Sequence, residues 1–260
     1  MKYTLPFKVR VYECDAGGRL SVPSLLNYMQ EIAARHTVEL HISIPELLPR
    51  GYTWMLSRIH LVADRYPAYA DKLSMSTWIS GHRGRFSVRE FALLDASGAS
   101  LMRITSSWVL YDINAHGAAN VDEVVPLEEV CSERAVKDDF LSLPVPDDDA
   151  MKYRRHLQVR RSDLDINRHV NNRVTAEWAL EAVPEKISKT CELAELEISF
   201  KEQAFYGDSI LSQCRIPDEK EQYTVLQHII KSDKGRLIAA AADDLEDETR
   251  ETRILRIICI

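Results

Sequence analysis

The sequence lacks the features that mark several classes of protein. Its 260 residues contain 33 lysines and arginines against 40 aspartates and glutamates, for a formal net charge of −7, so it has no overall basic field for binding phosphate backbones. It has no run of about 18 apolar residues, and the opening MKYTLPFKVRVYE has no apolar signal-like core. We therefore expect a soluble cytoplasmic protein that binds neither nucleic acid nor a membrane.

Cysteine is scarce and shows no pattern. The five cysteines include no CxxC pair, so neither a disulfide framework nor a zinc site is indicated. Cys191 lies near His169 in the sequence, but no neighbouring residue would activate its thiol. We expect reduced cysteines, no cysteine nucleophile, no metal and no cofactor.

What the sequence does contain is an internal repeat. Displaced by 150 positions, the segment 7–31 aligns with the segment 157–181. The identical pairs in this alignment are Val9 and Val159, Arg10 and Arg160, Asp15 and Asp165, and Glu31 and Glu181. The repeat favours two similar domains.

Each copy is followed by one helix pattern and several strand patterns. Ser21 suits an N-cap and Pro23 a first turn, and apolar residues then recur at helical spacing. In the second copy Asn171 or Asn172 can cap the helix, and Pro184 stops it. Alternating apolar and polar residues then predict antiparallel strands in both halves.

These patterns predict an α+β protein with one domain in each half. The first domain would span 1–114 and the second 152–260, each a long helix packed on a curved antiparallel sheet. The stretch 115–151 is acidic and contains prolines, which favours a linker with one short helix. With 45% hydrophobic residues, the chain can bury a sizeable core.

Polar side chains of varied chemistry stand together in RRSDLDINRHVNN, residues 160–172. Asp165, Asn167 and His169 occupy alternate positions, and alternate side chains of an extended segment project to one side. Two interpretations are open: a solvated strand end followed by a helix cap, or the working groups of an enzyme.

Several segments together resemble one protein family. They are RRSDLDINRHVNN with Trp178 and Glu181 behind it, RVYECDAGGRLSVPSLLNYMQE, WMLSRIHLVADRYPAYAD, ITSSWVLYD and VDEV. These segments resemble acyl-ACP thioesterases of the plant plastid and bacterial type. The resemblance implies a tandem, or double, hotdog fold. It also implies hydrolysis of the acyl-ACP thioester, which releases free fatty acid and holo-ACP in fatty acid biosynthesis.

The resemblance also implies roles for individual residues. Asn167 and His169 would position the thioester carbonyl and the water, and Asp165 would orient them or act as an acid or base. The first copy has Gly17 and Arg19 at the corresponding positions, so the second half would be catalytic and the first would hold the acyl chain. Candidates to line the acyl-chain tunnel, each equally suited to an ordinary core, are Trp54, Met55, Leu56, Leu26 and Met29.

A further catalytic position differs from the family pattern. Plant members carry a glutamate followed by a cysteine in a YRREC segment. An ungapped count from His169 places that glutamate on Gln203, and a slip of one residue places it on Glu202. In a strand these two neighbours would face opposite sides. We favour Gln203 because the ungapped register requires no bulge.

The expected partner is acyl carrier protein, which is acidic and calls for a local basic surface. Oligomeric state stays open, and a homodimer is compatible with the sequence. Cations of the second half that could form the basic surface are Arg154, Arg155, Arg168, Arg173, Lys186 and Lys189. The alternative functions are an acyl-CoA thioesterase, a non-catalytic acyl-thioester-binding module and a hotdog hydratase. In such hydratases the Asp and the His are typically five residues apart, whereas Asp165 and His169 are four apart.

Overall fold

The computed structural model describes residues 2–125, 130–141, 143, 145–219, 223–233, 235–241 and 255–259. The chain forms two compact units, Met1–Phe140 and Leu141–Ile260, hereafter unit 1 and unit 2. No helix within the described ranges is both long enough and apolar enough to cross a membrane.

Unit 1 has one long helix and an antiparallel sheet. Its helices are α1 (Val22–Glu39), α2 (Ile44–Leu47) and α3 (Val121–Val124). Its strands are β1 (Tyr3–Lys8), β2 (Tyr52–Ala63), β3 (Lys72–Arg83), β4 (Phe86–Asp95), β5 (Ser100–Asp112) and β6 (Gly117–Ala118). The strand order is β1-β3-β4-β5-β2, and β6 pairs with β5.

Helix α1 begins where the sequence predicts. The Ser21 side chain accepts a hydrogen bond from the backbone N–H of Ser24, and a proline stands in the first turn. The apolar stripe of the helix is fully buried. Near the end of the helix, the buried guanidinium of Arg89 in β4 donates to Nδ1 of His36 over 2.9 Å. Burial and the charge of Arg89 lower the pKa of His36 to about 4, so this ring stays neutral near pH 7.

The first unit extends beyond the predicted domain end at residue 114. Strand β6 pairs with the end of β5, helix α3 follows, and the unit continues to Phe140. The described part of 115–140, predicted as linker, is therefore packed as part of unit 1. Of the predicted linker, only the part after residue 140 belongs to unit 2.

Charged side chains fix residues 131–140 to the sheet of unit 1. Glu90 in β4 is fully buried, and its Oε1 accepts Nε of Arg134 over 2.6 Å. His60 in β2 pairs with Asp138 over 2.8 Å. A buried carboxylate is stable only with hydrogen-bonded partners, so Arg134 holds this segment on the sheet although its sequence resembles a linker.

Unit 2 repeats the arrangement with shorter helices. Its helices are α4 (Asn172–Glu181) and α5 (Glu185–Thr190). Its strands are β7 (Tyr153–Gln158), β8 (Cys191–Phe200), β9 (Ser209–Glu219), β10 (Tyr223–Ser232), β11 (Leu237–Ala241) and β12 (Leu255–Cys259). The order is β8-β11-β10-β9-β7, and β12 pairs with β10 and β8.

Helix α4 is attached to the sheet of unit 2 by both packing and hydrogen bonding. Asn171 is its N-cap and accepts the backbone N–H of Arg173 over 2.9 Å, which settles the choice between the two candidate asparagines. Trp178 is buried, and its carbonyl accepts the hydroxyl of Ser212 in β9 over 2.7 Å. The helix ends at Glu181, before Pro184.

A histidine is enclosed in the sheet of unit 2. His228 in β10 lies opposite Cys214 in β9, is buried, and has no hydrogen-bond partner for either ring nitrogen among the described residues. Burial lowers the pKa of His228 to about 4 and raises the pKa of the Cys214 thiol to about 12, because it disfavours each charged form. Both side chains are therefore neutral near pH 7.

This burial predicts a loss of stability in mild acid. The folded-state pKa of His228 is about 4, below its ordinary value of 6.5. The contribution of His228 to the free energy of unfolding is therefore fully present above about pH 6.5. It is lost as the pH falls toward about 4, because in this range only the unfolded chain takes up the proton. His228→Leu should remove about 2 to 3 kcal/mol of this loss at pH ~4.5.

The measurement is urea denaturation of both proteins near neutrality and in mild acid. His36 stays in both and supplies a common background. An equal acid-induced loss in wild type and His228→Leu would show that His228 is not the source.

Candidate active site

The predicted catalytic residues lie on a tight turn rather than in an extended segment. Oδ1 of Asp165 accepts the backbone N–H groups of Asn167 and His169 over 2.8 and 3.3 Å. The N–H of Asp165 donates to the carbonyl of His169 over 2.8 Å and closes the turn, and Leu164 bridges to Val170. The predicted alternation along a strand is therefore wrong.

The chemistry of aspartate explains this difference. A short carboxylate side chain bonds backbone amides two residues further on, and this local bond competes with strand pairing. Asp165 is thus occupied in shaping the turn. Asn167 and His169 are presented from the turn instead of from one face of a strand.

A buried acid anchors the turn to the helix that follows. Asp163 is 1% exposed, and its carboxylate accepts the backbone N–H and the guanidinium of Arg160. Its carbonyl accepts the N–H of Asn171 over 2.9 Å. Since Asn171 caps α4, the turn and the helix start are held as one piece.

The first copy builds the same turn without the same chemistry. Oδ1 of Asp15 accepts the N–H groups of Gly17 and Arg19 over 2.9 and 3.0 Å, and the N–H of Asp15 donates to the carbonyl of Arg19. Glu13 replaces Asp163 as the buried acid. The turn is therefore a property of the fold, and the asparagine and histidine are additions found in the second copy.

A loop of unit 2 lies directly against the second turn. Residues 201–208 connect β8 to β9, and the carbonyl of Ala204 accepts the N–H of Val170 over 3.0 Å. The ring of Phe205 meets the ring of His169 edge-on, with centroids 5.2 Å apart. This contact brings the loop beside the predicted catalytic histidine.

The same loop revises the argument about Glu202 and Gln203. Strand β8 ends at Phe200, so neither residue lies in a strand, and the predicted alternation of faces does not apply. Glu202 forms an ion pair of 3.9 Å with Arg236. Gln203 directly precedes Ala204, is exposed, and makes no hydrogen bond to another described residue.

Three side chains near the turn are available to a ligand. Asn167 and Gln203 are exposed and His169 is half-buried, and none of them hydrogen-bonds through its side chain to another residue in the described part of the chain. Two amides and an imidazole supply both donors and acceptors. This set could bind a carbonyl oxygen and a water molecule and move a proton.

The residues predicted to line an acyl-chain tunnel lie in unit 1. Leu26 and Met29 are fully buried in α1, and Leu56 is buried in β2, whereas Met55 is half-buried. The indole N–H of Trp54 donates to the carbonyl of Ile42 over 3.0 Å, and its ring packs on a core cluster. Core packing accounts for the burial of most of these five residues, and their role in acyl binding stays a prediction.

Sequence reasoning missed the apolar and aromatic surface around the turn. Ile166 is 91% exposed beside Asn167. Tyr206 is exposed and carries the guanidinium of Arg161 at 4.4 Å from its ring centroid. The sequence signal that could have revealed this surface is the phenylalanine–tyrosine pair at 205 and 206, next to Glu202 and Gln203.

Family models match both halves of the chain. The acyl-ACP thioesterase N-terminal domain matches residues 1–127, and the acyl-ACP thioesterase C-terminal domain matches residues 147–247. The chain belongs to the acyl-ACP thioesterase family. The residues brought together at the second turn therefore lie within the C-terminal domain of that family.

Curated relatives of this thioesterase family member include chloroplastic plant proteins. An acyl-[acyl-carrier-protein] hydrolase, FATB2, of Cuphea viscosissima is 27% identical over 242 residues, which are 88% of this chain and 59% of that protein. A palmitoyl-acyl carrier protein thioesterase of Gossypium hirsutum is 28% identical over 248 residues, 88% of this chain and 60% of that protein. The chain thus spans about 60% of the length of these relatives.

Solved structures confirm the predicted fold. The 12:0-ACP thioesterase from Umbellularia californica matches with a TM-score of 0.80 at 24% identity, over 92% of this chain and 95% of that one. An acyl-ACP thioesterase from Bacteroides thetaiotaomicron matches with a TM-score of 0.79 at 21% identity, over 99% of this chain and 97% of that one. The α+β double hotdog is therefore the fold of this chain.

The loop geometry predicts different outcomes for its two candidate residues. Gln203→Ala should lower kcat for thioester hydrolysis on the order of 10-fold to 100-fold, because it removes an exposed polar group from the loop that contacts His169 through Phe205. Glu202→Gln should change kcat less than about twofold, because an exposed ion pair contributes little. Steady-state kinetics on both folded variants make the comparison, and the reverse ranking would move the role to Glu202.

Proposed function

We propose that this protein hydrolyses the acyl-ACP thioester and releases free fatty acid and holo-ACP in fatty acid biosynthesis. The observation that carries the proposal is that Asn167 and His169 share one turn, shaped by Asp165, and that the loop of Gln203 lies against this turn. Membership of the acyl-ACP thioesterase family supports it, as do relatives named acyl-ACP hydrolases.

Thioester hydrolysis requires three chemical roles to be filled at such a site. A base must take a proton from water as its oxygen attacks the carbonyl carbon, a donor must stabilise the oxygen that becomes negative, and the departing thiolate must receive a proton. The imidazole of His169 can take the proton from water and return it to the sulfur. The amide N–H groups of Asn167 can donate to the carbonyl oxygen.

Gln203 has a supporting part in this scheme. Its amide can hold a water molecule for attack, but an amide cannot act as a base near neutral pH, unlike the glutamate of the plant family pattern. Asp165 is committed to the turn through its Oδ1. His169 is therefore the group to which we assign proton transfer.

Acyl carrier protein is the carrier we propose. Of the cations expected to receive it, Lys189 pairs with Glu185 over 2.6 Å and Arg173 pairs with Glu177 over 2.9 Å. Arg154, Arg155, Arg168 and Lys186 are exposed. An exposed basic surface would steer an acidic carrier toward the site.

Replacing His169 tests the proposal. His169→Ala should lower kcat for acyl-ACP hydrolysis on the order of 10²-fold or more, because the proton-transfer group is lost. The protein should stay folded, since the side chain makes only a ring contact with Phe205 among the described residues. Thiol release is measured from acyl-ACP, acyl-CoA and an enoyl thioester.

The repeat supplies a matched control. Arg19→Ala changes the corresponding position of the first copy and should leave kcat within about threefold of wild type, because no asparagine stands at Gly17. Equal losses in both variants would refute the assignment of chemistry to the second turn. Preferential release from acyl-CoA, hydration of the enoyl thioester, or absence of turnover by wild type would favour the alternative functions.

A further inference from the structure

An arginine of the turn has an unfavourable backbone conformation. Arg168 lies between Asn167 and His169 with φ of +65°. In this left-handed region the Cβ atom of an L-residue is crowded by the backbone, and glycine, asparagine or aspartate is the usual occupant. A long cationic side chain is therefore an unexpected choice at this position.

The first copy shows that the fold does not require it. Gly18 takes the corresponding position with φ of +76°, and its N–H donates to the carbonyl of Asp15 over 3.0 Å, as that of Arg168 does to Asp165. The same turn with the same hydrogen bonds thus forms with glycine. Arginine at 168 adds a cation rather than a structural element.

The other arginines of the segment 160–173 are occupied. Arg160 pairs with Asp163 over 2.9 Å, Arg173 pairs with Glu177 over 2.9 Å, and Arg161 stacks on Tyr206. Arg168 is exposed, and its side chain makes no hydrogen bond or ion pair with any residue in the described ranges. A guanidinium beside the reacting groups is therefore open to an external anion.

We infer that Arg168 is a specificity-determining residue that binds an anionic group at the carrier end of the thioester substrate. The inference rests on the proposed function and names the substrate feature that the site would select. Two sources of the anion are possible by chemistry, the phosphate of the phosphopantetheine arm and an acidic side chain of the carrier. Guanidinium groups bind both phosphate and carboxylate in a fork geometry.

The location of Arg168 determines which kinetic constant it affects. An exposed cation is screened by water and salt, so it assists encounter and binding rather than stabilising charge in the transition state. Its contribution should appear in KM for anionic substrates, should weaken as salt is raised, and should be absent for a neutral substrate.

The test compares wild type with Arg168→Gly on three substrates with one acyl chain. The chain is carried on acyl carrier protein, on 4′-phosphopantetheine or on uncharged pantetheine. Arg168→Gly should raise KM for acyl-ACP about fivefold at low salt relative to KM for acyl-pantetheine, and the ratio should approach the wild-type value near 1 M salt. A ratio that also rises for acyl-phosphopantetheine identifies the phosphate, and one that rises for acyl-ACP alone identifies a carrier side chain.

Matched variants separate binding from folding and from net charge. The thermal midpoint of Arg168→Gly should equal or exceed that of wild type, because glycine relieves the strained φ. Arg168→Asn, which also tolerates this conformation, should give the same kinetic change, whereas Arg168→Lys should restore part of the binding. Arg103→Gln removes one positive charge from unit 1, where Arg103 pairs with Asp64, and should leave the KM ratio unchanged.

The outcomes separate this inference from the proposed function. If wild type hydrolyses acyl-ACP and both Arg168→Gly and Arg168→Asn keep the wild-type KM ratio, Arg168 does not bind the carrier end. A rise that is equal for acyl-pantetheine, or independent of salt, also overturns the inference. If wild type hydrolyses none of the three thioesters, the proposed function fails and the role of Arg168 fails with it.

Discussion

A single carboxylate oxygen, Oδ1 of Asp165, accepts the backbone N–H groups of Asn167 and His169 and so fixes the turn on which the candidate site depends. A hydrogen bond to a charged acceptor contributes about 1.5–3 kcal/mol, which is more than a neutral hydrogen bond contributes. The strand-like bridge after the turn then leads to Val170, whose N–H holds the loop through Ala204. The turn thus helps to position the loop that carries Gln203 and Phe205, together with the bond from the N–H of Gly207 to the carbonyl of Val159.

The duplicated turn shows which part of the arrangement belongs to the fold and which to chemistry. Asp15 bonds the amides of Gly17 and Arg19 as Asp165 bonds its own two amides, so the turn survives without an asparagine or a histidine. An acid two and four residues before the bonded amides is therefore a structural requirement of each unit. The side chains at 167 and 169 differ from those at 17 and 19 without changing these hydrogen bonds, because the bonds use backbone amides.

The helix cap and the strands could be predicted from the sequence, whereas the turn at Asp165 and the loop contact at Ala204 could not. The antiparallel strands and a helix cap at Asn171 or Asn172 follow from nearby residue chemistry, and the structure confirms the strands and places the cap at Asn171. Asp165 was predicted to be a site residue, which stays a prediction, but its conformation was predicted wrongly because its own side chain competes with strand pairing. The place of Gln203 in a loop depends on the bond between Val170 and Ala204, which join separate parts of the chain.

The most direct test of this account is to compare Asp165→Asn with Asp165→Ala in kcat for acyl-ACP hydrolysis and in thermal midpoint. The amide oxygen of asparagine can still accept both backbone amides, whereas alanine leaves them without a side-chain acceptor. If the carboxylate acts through the turn, Asp165→Asn should keep kcat at least about 10-fold above that of Asp165→Ala and should be the more stable variant. Equal loss of kcat in two folded variants would contradict the account and show that the charge or the proton of Asp165 takes part in the reaction itself.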